Sequence, residues 1–397
     1  MKLLKKIGLL LWAAVPAGLS AQQFNIAGHP VQFHAFGSQG FAYSDDNNYL
    51  TMPTSKGTFA FTEGGLTLGS QITDKLRVGA QGYVRNIGQM GNGQLTLDWA
   101  SADYSFRDWF GIRVGKVKTT LGLYNDSQDA EFLHPWALLP QSTYPLDLRG
   151  ETIAHIGADI YGDMQLKKVG HLAYTFSAGS VPGDLHGGYV HGLDKNNRHI
   201  YSITGTMIGA DLRWTTPVKG LLAGASLNWQ TGDAHGVDAG DNTPYDRDVL
   251  KNDTVAFYTQ YTLGNLRLDG EYRRNLRVTE TTSVDSGILG TSTRDLDSRQ
   301  GYVSAAYRIN KWIQLGAYHS RYYVDWKTIH SLPTNHIFDQ VVTARLDLNR
   351  YCDFKIEGHF IDGYAASSAD RGFYSVDNPN GRQPNTRVLI LRLGFHL

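Results

Sequence analysis

From Val31 onwards the chain is a run of segments roughly ten residues long in which apolar and polar residues alternate, and the links between them differ by parity. Links after even-numbered segments are tight: Thr73-Asp74, Arg107-Asp108, a turn around Asp163, Pro217 to Lys219, Gly264-Asn265, Asn310 and Asn349-Arg350. Links after odd-numbered segments are long, at 42–56, 88–92, 120–150, 181–198, 233–251, 279–296, 326–337 and 364–384. Sixteen segments fit: 31–41, 57–71, 75–87, 93–106, 109–119, 151–162, 168–180, 199–215, 220–232, 252–263, 265–278, 297–309, 311–325, 338–348, 351–363 and 385–397. Soluble sandwiches do not sort their connections this way. A closed antiparallel barrel across a membrane does, with short turns on the periplasmic side and long external loops on the other. The expected fold is therefore an all-β, sixteen-stranded transmembrane barrel with both termini on the turn side.

The faces follow from the phase. In the last segment Leu389, Leu391, Leu393, Phe395 and Leu397 share a side, opposite Arg392, Gly394 and His396. Phe354, Ile356 and Phe360 oppose Asp353, Lys355, Glu357 and His359; Leu266, Leu268 and Tyr272 oppose Arg267, Asp269, Glu271 and Arg273. The apolar set is expected against outer-membrane lipid and the polar set against water. On that phase Leu391→Arg should destabilise the barrel, while Arg392→Leu should leave folding intact and shift ion selectivity. The second segment slips phase at Gly64-Gly65, which suggests a bulge there. Lys116 and Lys118 fall in phase with Ile112 and Val114, which calls for a bulge or an interfacial position. The segment holding His319 and Arg321 fits either phase. Trp109, Phe110, Trp214, Trp312, Tyr351, Phe354 and Phe395 sit near turn-side ends, where an interfacial girdle belongs.

Residues 1–21 carry Lys2, Lys5 and Lys6, an apolar run from Ile7 to Val15 and small residues up to Ala21, the pattern of a secretory signal peptide. The mature domain is then 22–397. One cysteine, Cys352, allows no internal disulfide. With 37 basic and 37 acidic residues nothing points to a nucleic-acid partner. After the leader no apolar run is long enough for a transmembrane helix.

The connection 120–150 stands apart. It has no clean alternation, and it combines Asp126, Asp129, Glu131 and Asp147 with Trp136, Leu138, Leu139 and prolines at 135, 140 and 145. A long connection of this kind inside a compact fold is usually functional. Acid, apolar surface and stiff backbone suggest a loop that folds inward against something.

The signal peptide, the sixteen segments, the parity of the links and the final alternation to Phe395 and Leu397 resemble a Gram-negative outer-membrane porin over essentially the whole mature chain. GKVKTTLGLYND (Gly115 to Asp126) followed by LLPQSTYP (Leu138 to Pro145) is similar to the fifth strand and constriction loop of the porin superfamily. The resemblance implies that this third external loop folds into the lumen and narrows it, and that the chain forms a homotrimer. Porins of this kind usually end in an aromatic residue, whereas this chain ends in Leu397.

If the polar faces line a lumen, the basic wall candidates are Arg77, Arg113, Arg213, Arg267, Arg273, Lys355 and Arg392, and the acidic ones Asp98, Asp211, Asp269, Glu271 and Glu357. Asp126, Asp129 and Glu131 would oppose them from the loop. A transverse field across a narrow wet passage favours small polar solutes and penalises apolar ones through desolvation. The expected function is passive diffusion of small hydrophilic solutes and ions, with the basic excess favouring anions. The alternative is a channel selective for phosphate, carboxylates or a sugar.

Other constellations point less far. Gly232 to Asp248 holds Asp233, Asp238, Asp241, Asp246 and Asp248, oxygen donors suited to calcium, but without the spacing of a calcium loop or its closing glutamate. A solvated external loop explains them as well. His186 and His191 lack a third zinc ligand. His359 and His396 are expected to face the lumen. Neither a G-x-S-x-G elbow nor H-E-x-x-H occurs, so neither a barrel enzyme nor any cofactor or metal is expected. A structural or adhesive barrel would need neither an inward loop nor a charged lumen.

Overall fold

The computed structural model describes residues 23–26, 28–194, 198–238, 240, 242–285, 288–366 and 371–397; the expected signal peptide lies outside them. A short strand β1 (Gln23–Ile26) is followed by β2 (His29–Ser44), β3 (Phe61–Gln71), β4 (Leu76–Ile87), β5 (Leu95–Arg107), β6 (Phe110–Lys118) and β7 (Ala154–Gln165). Then come β8 (His171–Ser180), β9 (Arg198–Thr215), β10 (Leu221–Asp238), β11 (Pro244–Leu263) and β12 (Leu266–Asp285). The chain ends with β13 (Ile288–Arg308), β14 (Ile313–Tyr323), β15 (His336–Asn349), β16 (Cys352–Asp362) and β17 (Asn385–His396). From β2 each strand pairs antiparallel with the next, and β17 pairs with β2 from Val388↔Ser44 to His396↔Phe36. The ring is thus a closed sixteen-stranded barrel. β1 is an additional strand, antiparallel to β2 from Gln23↔Gln32 to Ile26↔His29. It covers the stretch of β2 that β17 does not reach, so that backbone edge is not left bare.

The protein is inside out. Outward side chains are large and apolar yet exposed, among them Leu68, Val114, Ile160, Phe176, Ile208, Leu212, Phe257, Val303, Val342 and Phe360. Inward side chains on the same strands are polar yet buried, among them Gln81, Asp98, Asp159, Asp211, Asn228, Asp269, Glu271, Asp339, Lys355 and Glu357. Exposed apolar residues over an entire belt are what a lipid-facing wall presents, and closure leaves every strand edge paired within it. At the turn side Trp109, Trp214, Trp312 and Phe395 are exposed, and the Trp214 indole N–H donates to the Val169 carbonyl at 2.8 Å. Among the described residues no helix is long and apolar enough to cross a membrane.

Several expectations change. The long links at 233–251 and 279–296 are mostly strand: β10 and β11 are joined by 239–243, and β12 and β13 by 286–287. The sequence reads as loop there because both faces are polar, but Thr and Val suit a pleated hairpin. β13 has 21 residues, about twice the ~10 that a tilted crossing uses, so these hairpins project well beyond the apolar belt. No bulge occurs at Gly64-Gly65, where both ladders of β3 are continuous. The apparent slip arises because Phe61 points inward, its ring under the Arg392 guanidinium. The register shift nearest β6 lies between Ser105 and Arg107, and Gly115 takes a φ of 127°. Lys118 then ends the strand reaching Asp98 and Asp129. On β14, Tyr318 and Ser320 are buried, and His319 and Arg321 face outward.

Candidate functional site

The connection 119–153 has no strand of its own, only tight 3-10 turns at Glu131–Leu133 and Leu146–Glu151. Its backbone groups need partners that a ladder would otherwise provide. The two ends are tied together. The Thr119 amide donates to the Ile153 carbonyl at 3.0 Å, and the Asn125 amide group donates to the Thr119 and Thr152 carbonyls at 2.8 Å each.

From that root the segment meets inward residues of strands well away from β6 and β7 in the ring. Gly122 takes a φ of 71°, and its N–H donates to the Ser226 hydroxyl at 2.8 Å. A Cβ there would lie 2.0 Å from Glu271 Oε1, so only glycine allows this approach to β12. The Tyr144 hydroxyl accepts the Leu123 and Tyr124 N–H groups at 3.0 and 2.9 Å and donates to the Glu271 carboxylate. Arg273 donates to the Leu121 and Thr143 carbonyls, both at 3.1 Å, and pairs with Glu271 at 2.6 Å. Arg213 donates to the Gly122 carbonyl at 3.2 Å, and Arg267 contacts the Tyr124 hydroxyl.

The middle of the segment seats on β15 to β17. Lys355 pairs with the Glu131 carboxylate and donates to the Glu131 carbonyl at 2.6 Å. Glu357 accepts the Ala137 and Leu138 N–H groups, both at 2.9 Å, in a fork that fixes the chain direction. Arg392 donates to the Ala137 carbonyl at 2.7 Å and pairs with Glu63. Trp136, 2 % exposed, meets Tyr318 edge-on with ring centroids 5.1 Å apart. Ala137 and Leu138 join an apolar cluster with Tyr49, Leu50, Met52, Met90 and Phe373, which come from other connections.

Charge is largely matched here. Asp129 lies between Arg149 and Lys118, which also hold Asp98. Burial alone would raise the Asp129 carboxyl, but Arg149 and Lys118 hold it well below the usual carboxylate range. Glu131 is likewise kept low, by Lys355 and Arg392 against burial. Burial pulls the His134 imidazole down to about 3; its Nε2 meets the Ser127 carbonyl at 3.1 Å and its Nδ1 has no partner among the described residues.

Of the acidic trio read from the sequence, Asp129 and Glu131 are buried and ion-paired, and Asp126 is exposed. Of the wall set, Arg213, Arg267, Arg273, Lys355, Glu357 and Arg392 all touch the segment. Arg77 lies exposed at the turn end of β4, and Arg113 pairs instead with Asp103 at 3.2 Å and Asp159 at 3.6 Å. Sequence reasoning missed Arg345, which donates to the Phe132 and His134 carbonyls at 2.6 and 3.0 Å, although its phase on β15 pointed inward. It also missed Glu63, Arg149 and Arg371; the last donates to the Ser142 carbonyl at 2.7 Å.

The remaining candidates are occupied by protein partners. His191 meets Asp377 at 2.8 Å, and His235 takes Asp246 at 2.7 Å. Asp241 lies outside the described residues, and among those described no three His, Cys, Asp or Glu side chains cluster to hold a metal. His359 bridges Asp339 at 2.8 Å and Glu357 at 3.2 Å, and His396 stacks on Phe132 with centroids 4.6 Å apart. The cavities beside the segment include one of about 100 Å³, lined by β9 to β12 with residues 147–151 and 181–189, and one of about 110 Å³, lined mainly by β10 to β13.

No family model and no curated protein matches the sequence. Solved structures do match in fold. OmpF of Salmonella typhi, in complex with daunomycin, superposes with a TM-score of 0.56 at 9 % identity, over 95 % of this chain and all 100 % of that one. The outer-membrane channel DcaP of Acinetobacter baumannii gives 0.54 at 12 % identity, over 95 % and 100 %. An anion-selective porin from Comamonas acidovorans gives 0.51 at 11 %, over 93 % and 100 %. The fold is that of Gram-negative outer-membrane porins.

Proposed function

We propose that the chain is an outer-membrane porin, a water-filled channel for passive diffusion of small hydrophilic solutes, with the connection 119–153 folded across its lumen as the constriction. The observation that carries this reading is the seating of that one segment on inward side chains of both β12 and β16, across a barrel whose outside is apolar and exposed. A segment so held blocks part of the cross-section and leaves solutes the rest. Size and fixed charge then do the selecting, with no cofactor and no energy coupling. Residues 1–21 act as the export signal, 22–397 form the barrel, and three copies assemble.

Anion preference is the finer part of the reading. Cations facing the segment are mostly spent on its carbonyls and carboxylates, whereas Arg277 and Arg371, which line a cavity, have no carboxylate partner among the described residues. Single-channel recording in a salt gradient tests both parts. The expected result is an ohmic conductance with a reversal potential of the sign that marks anion preference. Absence of conductance from folded protein would remove the channel, and the opposite sign would remove the preference.

One arrangement has the outline of an acyl-transfer relay. Thr119 Oγ1 lies 3.0 Å from His155 Nδ1, and His155 Nε2 lies 3.0 Å from Asp159. Thr119 is 4 % exposed, and His155 and Asp159 are 0 % exposed, so no acyl substrate reaches the hydroxyl. The trio ties down the root of the constriction segment.

A further inference from the structure

The larger of these two cavities is lined by more arginines than carboxylates. It is lined by Arg247, Arg273, Arg277 and Arg371, and by the carboxylate of Glu151 alone. Arg273 is already paired with Glu271. Among the described residues Arg277 makes one hydrogen bond, from Nε to the neutral Asn252 Oδ1 at 3.2 Å, and no carboxylate lies within ion-pair distance. Arg371, 9 % exposed, donates to Gln300 Oε1 at 3.1 Å and the Ser142 carbonyl at 2.7 Å; its Nε has no partner among the described residues. Its guanidinium carbon lies over the Tyr322 ring, 4.2 Å from the centroid, and that of Arg247 lies over Tyr189 at 5.5 Å. For Arg371, a buried guanidinium without a carboxylate in ion-pair distance is costly, and a planar fork fixed in place suits a carboxylate. Burial pushes the Glu151 carboxyl up, which weakens the one carboxylate in this lining.

The neutral lining narrows the chemistry. Asn252 donates to Gln230 Oε1 at 2.8 Å, and Asn275 donates to Asn252 Oδ1 and Thr254 Oγ1, both at 2.8 Å. This amide ladder runs across β10, β11 and β12 beside Arg277. Amides offer a donor and an acceptor each, the pattern that hydroxyl groups match. Inorganic phosphate would use the arginines and leave the ladder idle, and a neutral sugar would do the reverse.

We propose that this chamber is a binding site for a small hydroxylated carboxylate, a sugar acid, on the solute path of the channel. The proposal rests on the porin reading and names its substrate class. Arg277 and Arg371 hold the carboxylate, and the amide ladder holds the hydroxyls.

The test uses the full mature chain in planar bilayers and, in parallel, calorimetric titration in detergent, with glucuronate, glucose and inorganic phosphate as probes. Glucuronate should interrupt the current and bind roughly tenfold or more tighter than either glucose or phosphate. Arg277→Gln and Arg371→Gln should each weaken glucuronate about tenfold or more while leaving glucose unchanged. Arg277 is half-buried and makes one bond, so its variant stays informative even if Arg371→Gln misfolds. Equal binding of glucuronate and glucose, equal binding of glucuronate and phosphate, or unchanged binding in Arg277→Gln would each overturn the site. Conductance without glucuronate binding would remove the site and keep the channel. Calorimetric binding that Arg277→Gln abolishes, in protein that does not conduct, would keep the site and remove the channel.

Discussion

The two sides of the barrel interior use the same residue types for different ends. Towards β15 to β17 and β2, cations are buried against acids and against carbonyls of the 119–153 segment: Lys355 with Glu131, Arg392 with Glu63, Arg345 with Asp347 at 2.7 Å. Towards β10 to β13, Arg277 and Arg371 line open space and have no carboxylate partner among the described residues. An arginine in the first setting is a bolt for an irregular loop. In the second it is a charge offered to whatever enters. What separates them is whether a carboxylate lies within reach, since Arg371 too donates to a carbonyl of the segment, that of Ser142.

The largest effect should come from breaking a buried pair on the matched side. Lys355→Met leaves Glu131 buried without its cation, and loss of about 3–5 kcal/mol is expected in urea-gradient unfolding followed by tryptophan fluorescence. A loss no larger than that of a surface substitution would mean the pair is solvated. Next is the outer face: Leu391, half-buried opposite Ile356 and Phe41, should cost roughly 2–4 kcal/mol on change to Arg if it lies near the bilayer midplane. Its neighbour Arg392 was expected from phase alone to tolerate Leu. Its bonds to Glu63, Ser38 and Ala137 reverse that expectation, and Arg392→Leu should unfold at lower urea than the native chain.

On the unmatched side the effects should be small in stability and visible in current. Arg277→Gln should change stability by less than about 0.5 kcal/mol and move the reversal potential towards cations. An unmoved potential would place Arg277 off the ion path.

The smallest effect is on pH. His134 titrates near 6.5 in the unfolded chain and at about 3 in place, so the unfolded form takes up the proton first as pH falls. The seat of the segment should therefore weaken progressively from pH 6.5 downwards. Asp129, held below its ordinary 3.8, contributes fully above that value and loses its contribution as pH falls beyond it. Current noise that rises between these two pH values in the native chain should be flattened by His134→Gln. Noise unchanged by that substitution would show that His134 does not govern the seat.

Much of the fold was legible because a period of two and the parity of the links are local properties. The inward phase of Lys355, Glu357 and Arg392 follows from counting along β16 and β17. The hairpins β10–β11 and β12–β13 were misread as loops because polarity on both faces hides alternation once a strand leaves the lipid. Partners were not legible at all. Nothing near Glu131 in sequence specifies Lys355, and nothing near Gly122 specifies Glu271, since such pairs exist only once the ring has closed. Opposing charge was expected between wall and segment; much of the wall's hydrogen bonding goes instead to backbone carbonyls, which every residue carries and no sequence pattern marks.

The most direct test compares the single-channel conductance of the full mature chain with that of a chain lacking residues 126–140. A porin narrowed by this segment should conduct as purified and should conduct several-fold more once the segment is removed. Equal conductance from the two folded proteins, or none from either, would contradict it.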